Sequence, residues 1–328
     1  MPTIRSPHKG SMGYWPRKRA RRMYARVRAF PQEKEPKLLG FAGYKVGMTH
    51  LLVTDNRKTS QTKGEDIFCP VTVIECPPIK ILSVRFYKKE DYRLALKTEI
   101  VNQKLNKELK RKLVIPKKAK HDINKINISD YDDLKLVVYT QPRIAELKKK
   151  PEVFQLALGG SLEQKFNYAK ENMEKEIKIK DVFQDGNLID IHAITKGKGF
   201  QGPVKRFGVS LRQAKSEKTI RGPGSLGPWC GQGHIMYRVA HAGKTGFYQR
   251  IEYNKQIIKI SDKPEEINPK GGFINFGNVK STYVLVKGSV AGVKKRLIIL
   301  KKALRPNNKV PKEAPTISYV SLESKQGR

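Results

Sequence analysis

The chain has 328 residues, with 67 Lys and Arg against 30 Asp and Glu, a net charge of +37. A surplus of that size repels itself in a free compact globule, so it implies a polyanionic partner; phosphate backbones fit best, because each Lys or Arg contact releases a condensed counterion. A membrane surface fits poorly: it favours one compact basic helix with an apolar face, whereas here charge is spread along the chain and no apolar run approaches spanning length.

Hydrophobic residues at 38%, with 26 glycines, bring the apolar share close to that of ordinary globular domains, so one or two folded bodies with a real core are expected. Cys69, Cys76 and Cys230 form neither a disulfide framework nor a paired metal motif, and Cys69 and Cys76 read as small buried strand residues in a reducing cytosol. The N-terminus is basic without an apolar stretch behind it, which is unlike a signal peptide.

In chain order, residues 1–36 read as a basic arm. Nine Lys and Arg lie between Arg5 and Arg28 before the first acid, Glu33, and Tyr14, Trp15 and Tyr24 are interleaved with them. A disordered tail is the plainer reading; an arm that folds along RNA, with aromatics available to stack, suits the whole-chain charge better. Residues 37–90 hold the first strands of a β-barrel: Val71–Glu75, and Ile81–Tyr87 with Leu82, Val84 and Phe86 on one face. Residues 91–180 read as an inserted α/β region. There Leu105, Leu109 and Leu113 recur at helical spacing, Leu134–Thr140 reads as a strand, and a helix follows Gly159-Gly160, capped by Ser161 with Gln164 and packing Leu162, Phe166, Ala169 and Met173.

Residues 181–300 complete the barrel. Asp185-Gly186 marks a tight turn between Val182-Phe183 and a strand at Leu188–Ile194, from which His192 is expected to point outward. Further strands are expected at Gly272–Phe276, Tyr283–Lys287 and, last, Leu297–Leu300. A basic glycine-rich loop, 196–250, interrupts them: residues 191–250 hold eleven Lys and Arg, eleven Gly and one acid, Glu217. Its length and glycine content are too great for an ordinary connection. Residues 301–328 read as a basic tail. The fold class expected is mainly β with an α/β insertion, a β-barrel carrying long basic extensions, the N-terminal arm and the internal loop.

Several motifs suggest chemistry and fall short of it. Gly197, Gly199 and Gly202 match G-x-G-x-x-G after a predicted strand, but Pro203 and Val204-Lys205-Arg206 lack helical apolar spacing and no strand delivers Glu217, so glycines admitting close RNA approach are the better account. Gly243-Lys244-Thr245 resembles the end of a P-loop, yet Arg238 stands where its first glycine belongs. His192, His234 and His241 have no carboxylate or cysteine at metal-ligand or triad spacing, and the loop has almost no acids for magnesium or acid–base work. No enzyme, metal or cofactor is expected. Arg221–Trp229 surrounds one Trp with Gly and Pro; that Trp is equally readable as tucked onto the barrel or as a plug or stacking platform at a loop tip.

Gly40–His50 (GFAGYKVGMTH), Val71–Ile81, Lys148–Gly160, Ile194–Val209 (ITKGKGFQGPVKRFGV), Arg238–Arg250, Gly271–Gly277 and Tyr283–Leu300 together resemble, in order and over nearly the whole chain, the universal large-subunit ribosomal protein "L-three" family in its archaeal form. Residues 91–147 and those after Arg305 match only loosely. The resemblance implies a translation-factor-like β-barrel on the ribosomal surface, early binding to large-subunit rRNA that nucleates assembly, neighbouring large-subunit proteins as partners, and an internal loop reaching toward the peptidyl transferase centre with Trp229 at its tip. Some relatives carry a histidine before that tip, where this chain has Ile220. Neither a membrane nor a small-molecule substrate is implied.

The rRNA-binding set expected from charge and resemblance comprises Arg17, Lys18, Arg19, Arg21, Arg22, Arg26 and Arg28 in the arm, and Lys196, Lys198, Lys205, Arg206, Arg212, Lys215, Arg221, Trp229, His234, Arg238, Lys244 and Arg250 in the loop. Lys294, Lys295 and Arg296 complete it. The alternative is a free nucleic-acid chaperone or chromatin-type protein, which would share the charge but would not need a barrel with two basic excursions.

Overall fold

The computed structural model describes residues 15–116, 123, 126–228, 231 and 233–324. The chain divides into two compact units: one formed by the N-terminal segment to Arg22 together with Ile194–Gln249, the other by Met23–Ala193 and the residues from Arg250 onward. The fold is mainly β, and none of the described helices is long and apolar enough to cross a membrane.

The larger unit is organised around two sheets. The first uses β1 (Gly40–Thr54), β2 (Asp66–Glu75), β8 (Leu188–Ile194), β11 (Gln249–Ser261), β12 (Tyr283–Lys287), β13 (Leu297–Lys302) and β14 (Ile317–Val320). Their order is β13-β8-β11-β12-β2-β1-β14, and β1 also pairs with β13, so six of the strands form a circuit that returns on itself, with β14 attached to the far end of β1. β1 can serve both neighbours because it is fifteen residues long and because Gly43 has no side chain: a Cβ there would collide with Cys76 Sγ, Ile74 and the Glu75 carbonyl on β2. Phe41, Tyr44, Val73, Ile191, Val284 and Ile298 are all buried in the core this sheet encloses. Cys69 on β2 and Cys76, one residue beyond its end, are both buried and unbridged, so Cys76 is a buried residue but not a strand residue as expected.

The second sheet runs β4-β3-β5-β6, from β3 (Ile79–Glu90), β4 (Arg93–Val101), β5 (Asp133–Thr140) and β6 (Val153–Ala157), with β7 (Glu176–Ile177) on β3. Helix α1 (Leu162–Asn172) begins where expected: Ser161 accepts from the Gln164 amide and Gln164 returns a bond to the Ser161 amide, while Phe166 and Ala169 are buried.

Five local expectations are corrected. A bulge between Ile81 and Ser83 puts Leu82 on the opposite face from Val84 and Phe86, in a small second core with Leu109, Val137 and Tyr139. The leucine repeat at 105, 109 and 113 gives only a 3-10 turn, Lys107–Arg111, since Leu109 is buried but Leu113 is exposed and a longer helix would gain little packing. Gly272–Phe276 is a compact turn instead of a strand, because Gly272, Asn275 and Gly277 adopt left-handed backbone, although Phe273 and Phe276 remain buried. Val182-Phe183 follows a 3-10 turn and forms no hairpin with β8; Gly186 N–H donates to the Ile257 carbonyl, and Asp185 accepts from the Ile260 amide, so the turn docks on β11. Leu297–Leu300 is not the last strand, since β14 follows it on β1.

His192 is also reassigned. It lies 4% exposed on β8, with neither ring nitrogen hydrogen-bonded among the described residues, beside the buried pair Lys301 and Asp190, which are 3.4 Å apart. Burial, with repulsion from Lys301 added, lowers its pKa to about 4.

Candidate nucleic-acid interface

The smaller unit holds seventeen of the chain's Lys and Arg and a single acid, Glu217. Its stem is a two-stranded ribbon, β9 (Gly199–Gln201) against β10 (Gly243–Thr245), extended by amide–carbonyl bonds from Lys198 to Thr245 and from Phe247 to Lys196. Gly246 turns the chain with φ +75°, and any side chain there would meet the Lys196 carbonyl.

A short helix, α2 (Pro203–Phe207), follows the stem, correcting the expectation that no helix opens at Gly202. Pro203 at its first position and Gly208 in left-handed conformation after its end set both limits locally. It remains little more than one turn, follows a three-residue strand, and has Glu217 in an irregular segment, so it does not complete a dinucleotide site.

The Arg206 guanidinium fastens α2 to β10, donating to the carbonyls of His241 at 3.0 Å, Lys244 at 3.2 Å and Ala242 at 3.4 Å. The arm docks on the same framework. Trp15 stacks on Phe207 with centroids 5.8 Å apart and meets Tyr237 edge-on, also at 5.8 Å. The Arg17 guanidinium lies 4.4 Å from the Phe207 ring and donates to the Arg206 carbonyl at 3.3 Å. Ala20 N–H donates to the Phe247 carbonyl, and Arg19 sits 5.3 Å from the Phe247 ring.

The expected binding residues therefore separate into two kinds. Arg17, Arg206, Arg212 and Lys244 have internal bonds: Arg212 donates to the Pro223 carbonyl at 2.7 Å, and Lys244 lies 4.0 Å from the Tyr248 ring while donating to the Gly246 carbonyl. Lys18, Arg19, Arg21, Arg22, Lys196, Lys198, Lys205, Lys215, Arg221, His234 and Arg238 are exposed. Arg26, Arg28, Arg250 and Lys294–Arg296 belong to the larger unit. Of these, Lys294 donates to the Ile274 carbonyl at 2.7 Å, Lys295 is exposed, and half-burial pulls the Arg296 guanidinium below its ordinary pKa. Tyr24 and Ala25, within the expected arm, are buried in that unit as well, with the Tyr24 hydroxyl donating to the Val153 carbonyl at 2.7 Å. Trp229 and Cys230 lie outside the described residues.

Three residues with matching chemistry were not anticipated. Phe200 is 77% exposed between Lys198 and Lys205, Tyr237 is 68% exposed beside Arg238, and Lys218 is an exposed cation of the loop. The alternation of aromatic and basic residues that drew attention to the arm would have found the first two. Among the described residues no three His, Cys, Asp or Glu side chains gather as a metal site.

The unit's own apolar support is slight: Ile194, Phe207 and Tyr248 are its only buried large apolar residues among those described. Trp15 Nε1, Arg17 Nε, His241 Nε2 and Thr245 Oγ1 are buried in it without a hydrogen-bond partner among the described residues. It is a densely cationic, glycine-rich scaffold presenting exposed Lys and Arg side chains around a braced stem.

A family model described as Ribosomal protein L3 matches residues 1–327. The chain is 46% identical over 331 residues to "Large ribosomal subunit protein uL3" of Methanobrevibacter smithii, covering 98% of both chains. Proteins with the same description from Methanothermobacter thermautotrophicus and Archaeoglobus fulgidus are 44% and 45% identical, again over 98% of each chain. With a family model matched along almost its full length and relatives this similar over nearly all of theirs, the chain belongs to the ribosomal protein L3 family.

Proposed function

We propose that this protein is a structural constituent of the large ribosomal subunit, resident on cytoplasmic ribosomes, and that it binds large-subunit rRNA directly through the arm and the 196–250 loop. The observation that carries this is the imbalance of the smaller unit: seventeen cations against one acid, on a scaffold with three buried large apolar side chains among the described residues. Ordering a residue costs about 1–2 kcal/mol in backbone entropy, while burying one large apolar side chain returns about 1.5–3 kcal/mol. Such a segment gains its order from an external polyanion, which also relieves its self-repulsion.

In this reading the exposed Lys and Arg of the loop neutralise phosphates, and Phe200 and Tyr237 offer faces for unpaired bases. Arg17 and Arg206 act indirectly by holding arm and stem in place. The protein binds early and nucleates assembly, neighbouring large-subunit proteins pack around it, and the loop extends toward the peptidyl transferase centre with Trp229 at its tip. Its role is structural and not catalytic. Sedimentation of native extracts tests this: nearly all of the protein comigrates with the large subunit, whereas a free pool in excess favours a chaperone or chromatin-type binder.

A further inference from the structure

We infer that the 3-10 turn Lys107–Arg111 and its exit form a second RNA-docking surface, in the larger unit and separate in sequence from the arm and the loop, directed at the phosphates of a double-helical rRNA segment. This rests on the ribosomal reading above and adds to it a surface that lies outside every basic segment in the expected binding set.

The turn is rigidly seated. Leu109 is fully buried against Leu82, Val137 and Tyr139 in the small second core, with Leu105 and Ile115 packed around it. Asn106 donates to Gln141 at 3.2 Å and Arg143 pairs with Glu108 at 3.0 Å, tying the turn to the connection between β5 and β6. Lys107, Lys110, Arg111 and Lys112 are all exposed, and none has a side-chain hydrogen-bond or ion-pair partner among the described residues. That sets them apart from many of the cations around them, since Lys80, Lys97, Lys104, Lys135 and Lys165 each pair with a carboxylate. Four unpaired cations within six residues repel one another at a cost that packing does not require, because only Leu109 is needed to hold the turn.

Geometry favours a nucleic acid over an acidic protein. At about 2.0 Å rise per residue, Lys107 to Lys112 spans roughly 10 Å, the axial length of about three successive phosphates on one strand of a duplex. Beside the cations Leu113 is 40% and Val114 98% exposed, neutral side chains suited to the sugar edges of the shallow RNA minor groove, where duplex RNA is recognised by shape and by phosphate and 2′-hydroxyl contacts.

The test compares full-length wild-type protein with two quadruple variants of equal charge change, binding large-subunit rRNA across a salt series. One variant carries Lys107→Ala, Lys110→Ala, Arg111→Ala and Lys112→Ala; the control carries Lys34→Ala, Lys58→Ala, Lys63→Ala and Lys309→Ala, also exposed positions. Thermal melts confirm that both variants keep the fold. The slope of log K against log salt is expected to become shallower by roughly 3–4 in the first variant, at about 0.9 per phosphate contact, and by less than 1 in the control. Hydroxyl-radical footprinting is expected to lose protection of one duplex segment in the first variant only. A steep wild-type slope with equal slopes in both variants overturns this inference alone and assigns the turn to a protein neighbour. A shallow wild-type slope overturns the ribosomal reading and this inference with it.

Discussion

The two units solve the problem of order by opposite means. The larger one has fifty cations against twenty-nine acids and spends many of them on pairs, and its sheets bury a continuous apolar core from Phe41 to Leu300. The smaller one has almost no acids to pair with and almost no core; its internal bonds run chiefly from guanidinium groups and amides to backbone carbonyls. A basic side chain can thus be a brace or a ligand, and composition alone does not distinguish them. Arg206 holds three carbonyls, while Lys205, its neighbour, is exposed.

The largest effect that would break this contrast concerns salt and charge. Binding to large-subunit rRNA is expected to weaken roughly 10³–10⁵-fold between 50 and 200 mM salt, as for a protein neutralising about 6–10 phosphates. Replacing Lys196, Lys198, Lys205, Lys215 and Arg221 together by Ala is expected to lower affinity by more than about tenfold at 100 mM salt, since each lost contact also forgoes counterion release. The same variant is expected to leave the main thermal transition, which reports the larger unit, unchanged; a large drop in melting temperature would mean that the loop cations support the core.

The second effect belongs to the larger unit. His192 has a pKa of about 4 when folded and an ordinary imidazole value near 6.5 when unfolded. Between those values the unfolded chain binds more protons, so the contribution is fully present above pH 6.5 and is lost as pH falls toward 4, up to about 3 kcal/mol. Melting temperature measured from pH 7 to pH 4 is expected to fall more steeply for wild-type protein than for His192→Gln. Parallel curves would show that His192 is not held neutral in the core.

Arg206→Met sharpens the distinction between brace and ligand. The aliphatic stem is kept and the carbonyl donors are lost, a local cost of about 1–3 kcal/mol. Hydrogen exchange is expected to accelerate at residues 203–208 and 243–248, with β1 and β13 unaffected. Exchange unchanged throughout would return Arg206 to the set of direct phosphate ligands. The smallest effect is Ser161→Ala, which removes one half of the α1 capping box and is expected to cost about 1 kcal/mol in chemical denaturation. No change would mean that α1 is held by Phe166 and Ala169 alone.

What was legible in the sequence was what is decided locally. Ser161 and Gln164 cap a helix across three residues, and their pattern is read directly. The strand at Tyr283–Lys287 has the predicted bounds, since its short apolar run, buried on both faces, holds no glycine or left-handed residue. Leu82 was assigned to the wrong face because one inserted residue at the Ile81–Ser83 bulge reverses every side chain beyond it, and a bulge is fixed by its partner strand. Gly272–Phe276 has strand-like alternation, yet two glycines and Asn275 favour a turn, a preference that the hydrophobic pattern masked. His192 was expected outside because Asp190 and His192 alternate with Ile189 and Ile191; in fact both faces of β8 are covered. In the candidate interface, charge picked out the arm and the 196–250 loop, most of which share the smaller unit. It could not reveal that Arg17 meets Arg206, 189 positions away, or that Phe200 and Tyr237 stand exposed among the cations.

On this reading the smaller unit makes the densest contact with rRNA, residue for residue. Protein–RNA cross-linking of native large subunits, mapped by mass spectrometry, tests it most directly. Cross-links are expected to concentrate, per residue, in the arm and in 194–249, at Lys196, Lys198, Lys205, Lys215 and the faces of Phe200 and Tyr237, with Arg206 poorly reactive. Cross-links spread evenly over the larger unit, with 194–249 bare, would contradict it.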